Sequence, residues 1–103
     1  MDEPAAAHYL RLFHAYGKDF GTAYLAPEDE RYRLLFDQIC RMLTVPSSFN
    51  LGMPQEFRIS AQRYLSGDEK TLAHLRDAQN RHFMLSDLYD YVHLRMHMGG
   101  PGW

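Results

Sequence analysis

The amino-acid sequence predicts an all-α fold, a small four-helix bundle-like domain with a long C-terminal helix. Apolar residues recur at spacings of three and four along most of the chain, which is typical of helices that bury one face. Three of the five prolines, Pro4, Pro27 and Pro54, stand where a first helical residue is expected. Together these patterns divide the chain into four main helices.

The first helix is predicted to begin at Pro4 and to run to about Tyr16. Gly17 and Gly21 are the candidate ends, because glycine readily closes a helix. The buried face predicted for this helix consists of Tyr9, Leu12, Phe13, Tyr16 and Phe20.

The second helix is predicted to begin at Pro27 and to end before Pro46, since the residue before a proline avoids helical geometry. Two charge pairs four residues apart, Asp29 with Arg33 and Asp37 with Arg41, are expected on its outer faces. Its apolar stripe consists of Tyr32, Leu35, Phe36, Ile39, Met42 and Leu43.

Residues 44–53 are predicted to form a loop. The loop carries three apolar side chains, Phe49, Leu51 and Met53. Such side chains in a loop either pack under the helices or contact a partner, so both outcomes remain open at this point.

The third helix is predicted to run from Pro54 to Gly67, with Ser66 or Asp68 capping the helix that follows. So short a connection implies a helical hairpin or a bent pair. The apolar face predicted for the third helix consists of Phe57, Ala61, Tyr64 and Leu65.

The segment from Tyr64 to Ala78 loosely resembles the helical hairpin of several families of small bacterial immunity and regulator proteins. The matching residues are Tyr64 to Asp68, Leu72, Leu75, Arg76, Asp77 and Ala78. General capping rules produce the same string, so no functional residue is carried over from this resemblance.

The fourth helix is predicted to run from about Glu69 to about His97, which corresponds to about 40 Å of helix. That length exceeds what a small domain covers, so a kink or a protruding, dimer-forming end is expected. Residues 1–98 then form a single domain, and residues 99–103 form a flexible tail. The predicted seam consists of Leu75, Ala78, His82, Leu85, Tyr89, Val92 and Met96.

Composition excludes several classes of protein. Hydrophobic residues make up 46% of the chain and the formal net charge is -2, which disfavours disorder and general attraction to nucleic acid. The apolar runs are far shorter than the roughly 18 residues that cross a membrane. Cys40, the single cysteine, cannot form an internal disulfide, so a cytoplasmic location is expected.

The most suggestive polar group lies near the end of the fourth helix. Asp87, Asp90, His93 and His97 fall within about a third of the helix circumference. Histidines four residues apart can chelate a divalent transition metal when other ligands complete the site. This predicts a metal-binding sensor or metal-dependent protein as one hypothesis; the alternative is a solvated polar face at a helix end.

Two further residues are assigned structural roles. His82 interrupts the apolar seam, so its imidazole is expected to hydrogen-bond to a carboxylate, a tyrosine or a backbone carbonyl. Cys40 is expected to pack in the core, since no neighbouring charge arrangement favours a thiolate. The sequence contains no motif typical of catalysis, and no cofactor is predicted apart from the alternative metal.

The remaining evidence favours a protein that binds another protein or a second copy of itself, as an inhibitor, immunity factor, adaptor or assembly partner. Aromatic residues make up 14% of the chain and arginines outnumber lysines nine to two, and both types anchor protein interfaces. The predicted contact residues are Phe49, Leu51, Met53, Phe83, Met84, Tyr91 and Arg95.

Overall fold

The computed structural model describes residues 3–17 and 28–98, without the side chains of residues 3, 4, 16, 17 and 96–98. Within these residues the chain is helical, with no strand, which confirms the all-α class and the long C-terminal helix. The helices are α1 Glu3–Gly17, α2 Glu30–Leu43, α3 Ser48–Leu51, α4 Gln55–Ser66, α5 Glu69–Leu75 and α6 Ala78–Met98. None of them is both long and apolar enough to cross a membrane.

The second helix is the centre of the bundle. α2 packs against α1 on one side and α4 on the other, and α6 packs against α1 and α2. The short α5 contacts both α4 and α6, whereas those two longer helices make few contacts with each other. The core consists of the buried side chains of Ala6, Tyr9, Phe13, Tyr32, Leu35, Phe36, Ile39, Cys40, Leu43, Phe49, Met53, Ala61, Leu75, Leu85, Leu88 and Val92.

The N-terminus of α2 differs from the prediction. The helix begins at Glu30, with Asp29 as its N-cap, whose side chain accepts a hydrogen bond from the backbone N–H of Arg31 at 2.9 Å. Pro27 and the predicted positions Phe20 and Gly21 lie outside the described residues. The helix therefore begins after the residue whose side chain caps it, Asp29, and not at Pro27.

The predicted charge pairs of α2 are also wrong. Asp29 pairs with Arg31, and Glu30 pairs with Arg33. As an N-cap, Asp29 lies outside the helix, so the spacing that would bring it to Arg33 does not apply. Asp37 instead accepts a hydrogen bond from the hydroxyl of Tyr64 on α4, at 2.6 Å.

The predicted loop between α2 and α4 contains the one-turn helix α3, which the sequence pattern did not reveal. Ser47 caps it, accepting from the backbone N–H of Asn50 at 3.1 Å. The buried amide of Asn50 donates to the carbonyls of Met42 and Val45, at 2.8 and 2.6 Å. Its Oδ1 accepts from the hydroxyl of Tyr9 on α1 at 2.6 Å, so one side chain ties this connection to the core.

The end of α4 confirms the role predicted for Gly67. Its φ is 85°, in the left-handed region, and the N–H of Asp68 donates to the carbonyl of Arg63 at 2.9 Å. Asp68, one of the two predicted caps, then accepts from the N–H of Thr71 at 3.0 Å. Pro54 is the N-cap of α4, one position before its predicted place in the first turn.

We expect Gly67→Ala to lower the free energy of unfolding by about 1 kcal/mol, because a β-carbon strains left-handed backbone. Apart from Gly67 and its two chain neighbours, no heavy atom lies within 4 Å of the position that a β-carbon would occupy, so the loss comes from backbone strain and not from a steric clash. Urea denaturation measures it. Gly67→Asn is the matched control and should lose less, since asparagine tolerates this conformation; equal losses would contradict the explanation.

The helix predicted from Glu69 to His97 is two helices, because the chain breaks between α5 and α6. A kink was one of the two outcomes expected from its length, and the structure shows a full interruption. Asp77 accepts from the N–H of Gln79 at 2.9 Å and so starts a new helix. Asn80 donates to the carbonyl of His74 at 2.7 Å, and Arg81 donates to that of Leu75 at 2.8 Å. Side chains thus satisfy the carbonyls that a continuous helix would have paired.

The predicted seam of the C-terminal helix is correct in part. Leu75, Leu85 and Val92 are buried, and Ala78, His82 and Tyr89 are half-buried. Leu88 is fully buried, although the prediction did not include it. The side chain of Met96 and the predicted tail at residues 99–103 lie outside the described residues.

Candidate functional site

A groove of about 1080 Å³ lies between α4, α5 and α6. It exists because α4 and α6 both pack on α2 but separate from each other, while α5 lies between them. We call this surface the α4–α6 groove. It is lined by Glu56, Phe57, Ser60, Arg63, Asp68, Glu69, Lys70, Thr71, His74, Leu75, Asn80, Phe83, Met84 and Asp87.

The groove combines an apolar patch with charged walls. Leu75 is buried, and Phe57 and Met84 are half-buried. Phe83, in contrast, is 58% exposed. The carboxylates of the lining are Glu56, Asp68, Glu69 and Asp87, and its basic side chains are Arg63 and Lys70. An exposed phenyl ring in a concave, partly apolar surface is typical of a binding site.

The sequence of α6 explains why apolar residues reach this surface. Leu85, Leu88 and Val92 face the core and are fully buried. Asn80, Phe83, Met84 and Asp87 follow the spacing of three and four along the neighbouring face, which lines the groove. A helix with apolar residues on two faces needs a second contact to bury them all.

Tyr91 and Arg95, two of the predicted partner contacts, are engaged within the domain. The hydroxyl of Tyr91 donates to the carbonyl of Gly52 at 3.1 Å and accepts from Arg95 at 2.8 Å. The Arg95 guanidinium lies 5.3 Å from the ring centroid of Phe49. Both side chains therefore fasten α3 to α6.

The predicted contacts of the α2–α4 connection divide between core and surface. Phe49 and Met53 are buried, with 1% and 3% exposure, so they pack under the helices and are not available to a partner in this conformation. Leu51 is 61% exposed but does not line the α4–α6 groove. Of the seven predicted contacts, Phe83 and Met84 are the two that the structure brings together in the groove.

Sequence reasoning missed the groove residues of α4 and α5. Phe57 is predicted on a core face, and it does pack against the core while also lining the groove. His74 and Lys70 were not predicted, because their meeting with α6 depends on the break at Asp77. A signal for that break was present, since aspartate followed by helix-forming residues is a typical helix start.

The residues of the metal hypothesis are only partly described. Asp87 and Asp90 are exposed, whereas His93 is half-buried with its ring 4.4 Å from that of Tyr89. The side chain of His97 lies outside the described residues. Among side chains that the structure does describe, no three potential His, Cys, Asp or Glu ligands come together.

His82 forms the hydrogen bond that the sequence predicted. Its Nδ1 lies 2.9 Å from the hydroxyl of Tyr32, and the two rings meet edge to face at 5.3 Å. Tyr32 is almost wholly buried, so this contact connects α6 to the central helix. A tyrosine, one of the three partner types expected for the imidazole, is therefore a partner of His82.

Cys40 lies in the core, where its thiol packs as predicted. Burial raises the pKa of Cys40 from 9.0 to about 12, and the negative charge of Asp37 acts in the same direction. Burial likewise raises the pKa of Tyr64 to about 12, helped by its hydrogen bond to Asp37. A protonated, buried thiol is a poor nucleophile, so Cys40 is not a catalytic candidate.

We expect the raised pKa of Cys40 to make the fold sensitive to alkali. The unfolded thiol loses its proton near pH 9.0 whereas the folded one keeps it to about pH 12, so this contribution is complete below pH 9 and is lost as the pH rises towards 12. The urea midpoint of the native chain should be lower above pH 9 than below it. The same difference should be smaller in Cys40→Ala. Equal slopes in the two proteins would contradict this explanation.

Comparison with protein-family models, with curated proteins and with solved structures gave no match. The functional proposal therefore rests on the geometry and chemistry of the α4–α6 groove.

Proposed function

We propose that this chain acts by binding another protein through the α4–α6 groove, as an inhibitor, immunity factor, adaptor or assembly partner. The observation that carries the proposal is Phe83, which is 58% exposed in a groove of about 1080 Å³. We expect the protein to act in the cytoplasm, where the Cys40 thiol stays reduced.

The groove has the composition of an anchoring site. Full burial of an exposed aromatic side chain contributes roughly 1.5–3 kcal/mol, and aromatic residues dominate the binding energy of many interfaces. Met84, beside Phe83, offers a flexible thioether side chain that adapts to the shape of a ligand. The charged walls supply the polar rim that surrounds such anchors.

A foreign protein fits this surface better than a second copy of the chain does. A symmetric dimer would place the same patch on both subunits, so groove would face groove and neither concavity would be filled. Asp87 and Glu56 of the two copies would also approach groups of like charge. A groove that accepted another part of the same chain would instead build a closed ring or an open filament.

Photo-cross-linking in the cells that make the protein provides the first step of the test. A benzoylphenylalanine placed at position 83 should form an adduct with a second protein, identified by mass spectrometry. The same residue at position 34 is the control, because Leu34 is 43% exposed on α2 and does not line the groove.

The identified partner is then purified, and its affinity is measured for the native chain, Phe83→Ala and Leu34→Ala. We expect Phe83→Ala to weaken binding by about tenfold or more and Leu34→Ala to leave it unchanged. Adducts with a second copy alone, or equal losses in the two variants, would overturn the proposed function.

A further inference from the structure

We infer that the occupant of the α4–α6 groove is an amphipathic helix whose apolar stripe is flanked by lysine or arginine. This inference rests on the proposed function and specifies the chemistry of the partner. Three features of the groove support it: its size, the spacing of its walls and its charge.

The size of the groove suits a short helix. Taking a diameter of about 10 Å for a helix, the volume of the groove corresponds to about 14 Å of length, or about nine residues. Such a segment has two and a half turns, which is enough for an apolar stripe of three or four side chains.

The walls present side chains at helical spacing. On α4 the groove residues Glu56, Ser60 and Arg63 follow one face, and on α6 Asn80, Phe83, Met84 and Asp87 do the same. Where α4 and α6 separate, a channel remains that α5 lines, and a helix of the partner can pack its own ridge into this channel.

The charge of the groove selects a basic partner. The four carboxylates lie on all three walls: Glu56 on α4, Asp68 and Glu69 at the start of α5, and Asp87 on α6. Within the described residues none of the four forms an ion pair. The basic side chains Arg63 and Lys70 leave the lining with an excess of two negative charges.

One of these carboxylates is held ionised by the fold itself. The backbone N–H and hydroxyl of Thr71 both donate to Asp68, and they lower the pKa of its carboxyl below the ordinary value. A lysine or arginine on the partner would meet fixed negative charge here, whereas an acidic helix or a second copy of this groove would be repelled.

Two hydrocarbon-stapled helical peptides of equal length test the inference directly. Both carry the same leucine stripe; one has lysine and the other glutamate at the flanking positions. Their affinities for the full chain are measured by fluorescence anisotropy, with the native protein, Phe83→Ala, Asp87→Lys and Asp90→Lys. The two lysine variants change the net charge equally. Asp90 is the control position, because it is exposed on the same helix but does not line the groove.

We expect the lysine peptide to bind the native chain about tenfold more tightly than the glutamate peptide, with the preference shrinking as salt is added. Phe83→Ala should weaken both peptides, and Asp87→Lys should reduce the preference by about threefold to tenfold. Asp90→Lys should leave the preference nearly unchanged.

Equal binding of the two peptides, a preference for glutamate, or equal effects of Asp87→Lys and Asp90→Lys would overturn the inference. Failure of both peptides to bind would overturn it as well. None of these results decides the proposed function, which depends on whether the cross-linked partner loses affinity in Phe83→Ala.

Discussion

Asn50→Ala is expected to lower the free energy of unfolding by about 3 kcal/mol, because it removes three hydrogen bonds of a buried amide and leaves the hydroxyl of Tyr9 without its acceptor. The native amide accepts from Tyr9 at 2.6 Å and donates to the carbonyls of Met42 and Val45. Asn50 is 2% exposed, so water does not readily replace these contacts. The buried hydroxyl of Tyr9 would lose its acceptor, and the connection between α2 and α4 would lose its attachment to the core.

The measurement is urea denaturation followed by helical circular dichroism. Tyr9→Phe is the matched control: it removes one of the three bonds, leaves the two carbonyl contacts intact, and should lower the free energy of unfolding by about 1.5 kcal/mol. Because the two residues share a bond, the double variant should lose less than the sum of the single losses. Strict additivity, or a loss in Asn50→Ala no larger than in Tyr9→Phe, would contradict the proposed network.

The same asparagine shows what the sequence could not predict. The connection between α2 and α4 lacks helical periodicity, so its apolar residues were compatible with either burial or a partner surface. What decides between these outcomes for Phe49 is the set of hydrogen bonds of Asn50 with residues from 5 to 41 positions away. Long-range polar contacts of this kind leave no local pattern in a sequence.

The helices themselves were predictable because their evidence is local. Spacing of apolar residues identified α1, α2 and α4, and Gly67 marked the end of α4 through its left-handed backbone. The position of the break before α6 was not predicted for a specific reason: Leu75, Ala78 and His82 keep helical spacing across it. Periodicity alone cannot distinguish a continuous helix from two helices in register, and the cap at Asp77 was the deciding feature.

The candidate site was predicted in part, and the limit is again one of distance along the chain. Phe83 and Met84 were identified because they lie off the main seam of a helix, and the spacing of residues within that one helix is enough to show this. Glu56 and Phe57 join them from α4 only because both helices pack on α2 and then separate. A groove between helices depends on packing angles, which the spacing within each helix does not specify.

Phe36→Ala is expected to have the largest effect on stability, a loss of about 4 kcal/mol, since it opens a cavity in the centre of the bundle. Phe36 is fully buried on α2, and its ring meets that of Tyr64 edge to face at 5.0 Å, so an aromatic contact is lost with the apolar one. In a domain whose total stability is of order 5–15 kcal/mol, this loss leaves a substantial unfolded fraction at modest denaturant. Urea denaturation measures it, and Phe36→Leu should lose less, about 1.5 kcal/mol, because most of the volume remains.

Phe83→Ala distinguishes a phenylalanine that binds the partner from one that stabilises the core, such as Phe36. The ring of Phe83 is largely exposed, so we expect its removal to change the free energy of unfolding by less than about 1 kcal/mol. The same variant should lower the affinity for the partner by about tenfold. Phe36→Leu, in contrast, should retain the affinity of the folded fraction, because the groove walls stay in place. If Phe83→Ala destabilised the fold as much as Phe36→Ala does, the ring would be part of the core and the α4–α6 groove would lose its anchor.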